Sequence, residues 1–143
     1  MVTFNVDLSP ESFTKLAQDL QNYTNKLIQA EPDILQALAD YVYERIMFYV
    51  PVDTGQLKAS FMKEVSQDVA RVYTDLYYAK YVEFGTGIRG SNSEYDSKYV
   101  SELNYSPTYA GQPARKFIYQ AVLDLERDYE EIVLNVLRKK GLI

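Results

Sequence analysis

Asp53, Thr54 and Gly55 stand side by side in this chain, and that triplet has a chemistry of its own. In an aspartic protease two such aspartates meet across an axis and share one proton, which pulls their pKa values apart. Each triplet there sits on a turn entered from a strand. This sequence holds one copy, so the reaction would need a homodimer with Asp53 contributed twice. The residues before it form an amphipathic helical pattern that ends at Pro51, and Gln56 to Ser60 again read as helix. A structural role competes with catalysis: Asp53 or Thr54 caps that short helix by offering a side-chain oxygen to a free backbone N–H. The cap is the expectation, and the homodimeric protease using Asp53 is the alternative.

A second stretch also spells chemistry. Gly85, Thr86, Gly87, Ile88, Arg89 and Gly90 match the G-x-G-x-x-G of dinucleotide sites. That site needs a buried strand before it, a helix after it and an acid about 20 residues further on. Ser91 to Asp96 start a helix poorly and no acid lies near Tyr109, so a loop beginning at Gly85 is expected. Asp124, Asp128 and Glu131 share one face of a helical pattern and read as a solvated face. The chain has no histidine and no cysteine. The commonest general base, the commonest zinc ligand, thiolate sites and disulfides are therefore all missing. The expectation is no catalytic residue, no cofactor and no metal.

With 143 residues, a single domain spanning 1–143 is expected. The net charge of −5 lacks the basic footprint of a nucleic-acid grip. Arg138, Lys139 and Lys140 complement the end of a helix dipole. The first residues carry neither a basic region nor an apolar run of signal-peptide type, and no run approaches a membrane span; folding in a cytoplasm is the expectation. Tyrosine is unusual. Of 14, eight fall between Tyr73 and Tyr109, more than a core needs. An apolar body with a polar tip suits a surface that is buried against a partner. Tyr77, Tyr78, Tyr81, Tyr95, Tyr99, Tyr105 and Tyr109 are the candidate interface.

The elements that must position these residues follow from periodicity. Residues 2–8 alternate apolar and polar and predict a strand. Ser9, Pro10 and Glu11 then supply a cap, a Pro at the first helical position and an acid in the first turn, so a helix runs to about residue 29. Its stripe is Phe13, Leu16, Ala17, Leu20, Tyr23 and Leu27. Pro32 opens a second helix, which stops by Val50 because Pro51 follows. Residues 61–75 predict a hairpin turning at Gln67 and Asp68, and 77–84 read as a strand or two helical turns, the short helix being the expectation. Residues 85–112, rich in Gly, Ser, Asn and Tyr, predict a long flexible loop. Pro113 leads into a strong amphipathic helix from Phe117, with Gly141 as its stop. The class is α+β: an N-terminal strand and two helices, a small antiparallel sheet with a hairpin, a tyrosine-rich loop and a long C-terminal helix.

Three segments in this order, residues 50–61, 77–87 and 111–122, resemble the gene-ten-type tail-component family of long-tailed bacteriophages and prophages, to which lambda tail-completion protein Z is related. Asp53, Thr54, Gly55, Leu57 and Ser60 carry the first motif. Tyr78, Ala79, Val82, Glu83, Phe84, Gly85 and Thr86 carry the second. Pro113, Ala114, Phe117 and Ala121 carry the third, with Lys116 where many relatives have proline. The resemblance implies a non-enzymatic virion protein of the neck that joins head to tail or completes the tail. It implies a ring-shaped homo-oligomer, a multiple of six being expected, assembled in the host cytoplasm. Implied partners are head-completion or connector proteins and tail tube or tail terminator proteins, with DNA passing through unbound. A small prophage binding module is a further alternative. Glu83, in an otherwise apolar segment, is expected to cap a backbone, pair with Arg71 or Arg115, or meet a neighbouring subunit, since a buried carboxylate needs a partner.

Overall fold

A computed structural model describes residues 9–95 and 103–143. The strand expected at 2–8 and Tyr99 lie outside the described residues. The architecture is α+β: the described residues form two long antiparallel helices, one two-stranded sheet and short helices filling the end of the pair.

Helix α1 runs Pro10–Tyr49, capped by the Ser9 hydroxyl, which accepts from the Ser12 N–H at 3.2 Å. Two helices broken at Pro32 were expected here, and a single helix of about 60 Å passes straight through it. Proline removes one helical N–H and crowds the preceding turn. Pro32 is exposed, so water can serve the carbonyl it leaves free. The residues that follow the last helix, α5 (Phe117–Lys139), bridge the site from the side. Lys140 pairs with Asp33 just after the proline, and the Tyr23 hydroxyl donates to the Leu142 carbonyl (3.3 Å) well before it. Packing on both sides overrides a local breaker. Pro51 does end α1, with Val50 extended and its N–H returned to the Ile46 carbonyl at 2.8 Å.

Helix α2 (Gln56–Ala59) leads into the hairpin β1 (Met62–Val65) and β2 (Ala70–Tyr73). Its antiparallel register pairs Met62 with Tyr73 and Val65 with Ala70, turning at Gln67 and Asp68 as their polar, turn-forming character predicts. The sheet lies against α1, where Lys63 reaches Asp40 at 2.9 Å. Helices α3 (Ala79–Phe84) and α4 (Gly87–Ser91) follow. The short helix expected at 77–84 is therefore α3. In the stretch read as loop from Gly85, the described part contains α4 and an antiparallel bridge between Thr86 and Gln112. Gly141, at φ 70°, closes α5, with the Leu142 N–H on the Leu137 carbonyl at 2.9 Å.

The core is small and lies at the α2 end of the helix pair. Ile46, Val50, Leu57, Phe61, Ala79, Phe117 and Ala121 form one buried cluster. Phe61 meets Phe117 edge to face with centroids 5.9 Å apart, a favoured aromatic geometry.

Candidate functional site

The three motifs that are far apart in sequence meet in space. Each gives an apolar residue to the core cluster: Leu57 from the first, Ala79 from the second, Phe117 and Ala121 from the third. Above that cluster lies an open groove of about 500 Å³. Its walls come from the same segments: Asp53, Thr54 and Gly55 on one side, Tyr78, Tyr81, Val82 and Thr86 on another, and Gln112, Pro113 and Arg115 closing it. Tyr78 crosses between walls, its hydroxyl donating to the Gln56 side-chain oxygen at 3.3 Å.

Asp53 enters this groove from the end of α1, and residues 50–55 form no strand. The protease alternative needs a strand there. The local geometry instead supports the junction reading. Gly55, at φ 81°, is the residue from which α2 starts, and the Thr54 hydroxyl accepts from the Gln56 N–H at 3.3 Å. The cap position itself is Gly55, with no side-chain cap, so neither Asp53 nor Thr54 fills the expected role; Thr54 holds the first helical N–H from one residue upstream of the cap. Ser60 ends α2 by donating to the Leu57 carbonyl at 2.6 Å, and its hydroxyl also lies 2.6 Å from that of Thr74. One residue thereby ties α2 to the segment after β2.

Glu83 is the centre of the second and third motifs. It is 2% exposed and acts as a cap supplied from another helix. Its two carboxylate oxygens accept from the Ile118 N–H at 2.8 Å and the Tyr119 N–H at 3.1 Å. Those are free donors of the first turn of α5, where a negative charge is also favoured by the helix dipole. Lys116, the residue before that turn, sits at φ 50° and has no capping side chain of its own. The Tyr95 hydroxyl adds a third bond to Glu83 at 3.2 Å. Burial raises the carboxyl above its ordinary value, opposed by those two N–H groups, by Tyr95 and by the Lys116 ammonium. Of the roles expected for Glu83, capping a backbone is the one observed; neither Arg71 nor Arg115 is its partner among the described contacts.

Gly85 shows why the second motif ends in glycine. Its φ of 79° with ψ of 177° is a backbone region that only glycine enters at low cost. A Cβ there would also stand 2.6 Å from the Ala114 nitrogen and 2.7 Å from the Gln112 carbonyl oxygen. Helix α3 precedes it where a dinucleotide site would need a strand. The G-x-G-x-x-G spelling thus serves close backbone approach between α3, α4 and the strip 109–114.

The candidate interface tyrosines divide into two sets. Tyr77 and Tyr109 are 79% and 61% exposed, Tyr81 is 43% exposed, and Tyr78 lines the groove. Tyr95 and Tyr105 face inward: Tyr95 lies on Glu83 and packs edge-on to Phe84 and Tyr119, and the Tyr105 hydroxyl donates to the Phe84 carbonyl at 2.9 Å.

One expectation is corrected outright. Asp124 does not belong to a solvated face; it is 2% exposed between α1 and α5. It accepts from the Tyr49 hydroxyl at 2.6 Å and from Gln120 at 3.3 Å, with Arg127 at 3.5 Å and Arg45 at 3.8 Å. The neighbouring Asp128 accepts from Tyr41 and pairs with Arg127 at 2.9 Å. The Tyr49 bond, ahead of the other contacts, holds Asp124 below the ordinary aspartate range, and Arg127 does the same for Asp128. Tyr41, Arg45 and Tyr49 recur every four residues on α1, opposite acids spaced by four on α5. That matched polar spacing was the available signal, and it was masked by the general acidity of the α5 face.

Comparison with known proteins adds one finding. A model of the HK97-gp10-like family, described as a bacteriophage tail-component, matches residues 14–85. The matched stretch holds α1 from its second turn, α2, the hairpin and α3, and so both Asp53–Ser60 and Tyr78–Gly85. No curated protein and no solved structure matches the chain. Half of the sequence is covered, including two of the three motifs that build the groove, and the chain belongs to the HK97-gp10-like family of bacteriophage tail components.

Proposed function

We propose that this tail component works in the neck of the particle, joining head to tail or completing the tail as a ring of identical subunits. The observation that carries this reading is the balance of apolar side chains. Nine hydrophobic residues are buried among those described, and four of them are alanine: Ala30, Ala39, Ala79 and Ala121. Large side chains such as Phe13, Leu20, Phe48, Tyr77 and Tyr109 stay more than half exposed. A chain that leaves this much apolar surface outside is completed by protein contacts. Closed rings need two different complementary faces per subunit. The groove and its exposed tyrosines form one such face, and the partners on either side of the ring are head-completion or connector proteins and tail tube or tail terminator proteins. The net charge of −5 suits a passage through which DNA slides without being held. Assembly takes place in the host cytoplasm.

Native mass spectrometry over a concentration series tests the ring, and incubation with headless tails and tailless heads tests the junction. A ring-sized species, a multiple of six subunits, that binds one of the two particles is expected. A chain that stays monomeric or dimeric at every concentration and binds neither particle would overturn the proposal.

A further inference from the structure

The one sheet among the described residues is open at its sides. Strands β1 and β2 bond to each other, and no backbone group of Ala70–Tyr73 bonds to a residue outside the hairpin among those described. Such an edge is a template for a further strand, and a two-stranded ribbon gains most from one. Beside β2 lies an open groove of about 480 Å³. Its apolar lining is Ile46, Phe61, Val72, Leu76, Phe84 and Ile118, so the groove joins the free edge to the core cluster.

A strand laid along β2 places alternate side chains over this lining and the others in water. The sequence supplies a segment of that form: Val2, Phe4, Val6 and Leu8 alternate with Thr3, Asn5 and Asp7. The stretch 96–102 lacks the pattern. It carries Asp96, Lys98 and Glu102, and only Tyr99 and Val100 are apolar.

Reach decides whose segment it is. Seven extended residues span about 24 Å. Pro10 and Ile46 lie on one helix, about 54 Å apart along its axis. Residues 2–8 therefore cannot reach the groove of their own subunit. Within their reach the described residues offer helix surface and no strand edge to take their backbone groups.

We infer that residues 2–8 of one subunit add as a third strand along β2 of the next copy, with Phe4 and Val6 seated in the groove between β2 and α3. This rests on the ring reading above and names its subunit contact. Main-chain bonds supply affinity in such a strand addition, and the groove supplies specificity. Each subunit gives one segment and receives another, a head-to-tail contact of the kind that closes into rings.

The absence of cysteine allows a direct test in the full-length chain. Phe4→Cys and Lys80→Cys, the latter at the groove, are made in separate chains and treated with a short thiol-reactive cross-linker, alone and mixed. Covalent dimers are expected in the mixture and in neither chain alone, and the double variant should give a ladder up to the ring. A link within single chains of that double variant at high dilution would overturn the proposal, because the segment then lies on its own subunit. An internal link in Phe4→Cys with Leu20→Cys would do the same, because the segment then folds back on α1. A ring seen by native mass spectrometry of the mixture without covalent dimers would overturn it while leaving the ring itself standing. No ring and no dimer would sink both. A second readout uses the alternation. Phe4→Asp with Val6→Asp should raise the concentration needed for assembly at least tenfold, and Thr3→Ala with Asn5→Ala should leave it unchanged, each with the helical circular dichroism signal of the dilute chain unaltered. Equal effects of the two pairs would refute a strand with one buried face.

Discussion

A single carboxylate decides how the third motif joins the second. Glu83 supplies the N-terminal cap that α5 lacks in its own sequence, and it does so from inside the protein. Glu83→Ala strands two first-turn N–H groups, and the expected loss in urea unfolding is about 2–4 kcal/mol. A loss under about 0.5 kcal/mol would show that the cap is dispensable. Its pH behaviour runs opposite to that of Asp124. Burial raises the Glu83 carboxyl, so its contribution is present below the ordinary glutamate value, about 4.3, and is lost as pH rises through the folded value. The Tyr49 bond lowers Asp124, so its contribution is present above about pH 4 and is lost as pH falls through the folded value. In melts from pH 7 to pH 3, the wild type should gain on Glu83→Gln between pH 7 and about 4.5, and Asp124→Asn should flatten the acid limb below about pH 4. Gly85→Ala combines a forbidden backbone region with a Cβ 2.6 Å from the Ala114 nitrogen. A destabilisation of at least about 2 kcal/mol is expected, and a thermal melt within a degree of wild type would refute the strain.

At the scale of elements, periodicity carried most of the fold. The hairpin, α3 and α5 lie where apolar spacing and turn residues put them. The α1 break did not, because Pro32 is a strong local signal with a weak local remedy. Contacts of Leu142 and Lys140, just beyond α5, with Tyr23 and Asp33, more than a hundred residues away along the chain, tie down both sides of the proline. Interior proline costs about 3 kcal/mol relative to alanine. Pro32→Ala should therefore raise the unfolding free energy by about 1–3 kcal/mol. A neutral or destabilising result would mean that α1 has a functional bend there. Asp124 was misread for a related reason. On its own helix it belongs to an acidic row, and its burial is set by tyrosines and an arginine on α1. Helical periodicity reports which residues share a face, not what lies across from that face.

For the whole molecule, the groove is the clearest product of the third dimension. Asp53, Tyr81, Thr86 and Arg115 come from three segments and line one cavity. On the proposed ring reading, the exposed apolar side chains and tyrosines put subunit association on apolar contacts more than on ion pairs. Assembly should strengthen in sulfate, which favours burial of apolar surface, and should change little between about 0.1 and 0.5 M sodium chloride, across which surface charge pairs are progressively screened. Sedimentation velocity at fixed protein concentration reads both, and dissociation by sodium chloride would show an electrostatic interface instead.

The amino-acid sequence by itself determined the class of the fold, the hairpin, the last helix, the lack of histidine and cysteine chemistry, and the ordered motifs that mark the tail-component family. These are properties of spacing and composition, which a chain carries before it folds. The tertiary structure alone decided that α1 is one helix, that Glu83 caps α5, that Asp124 is buried and that the three motifs share a core and a groove. Each of these depends on the partner a residue meets across space, and local periodicity cannot name that partner.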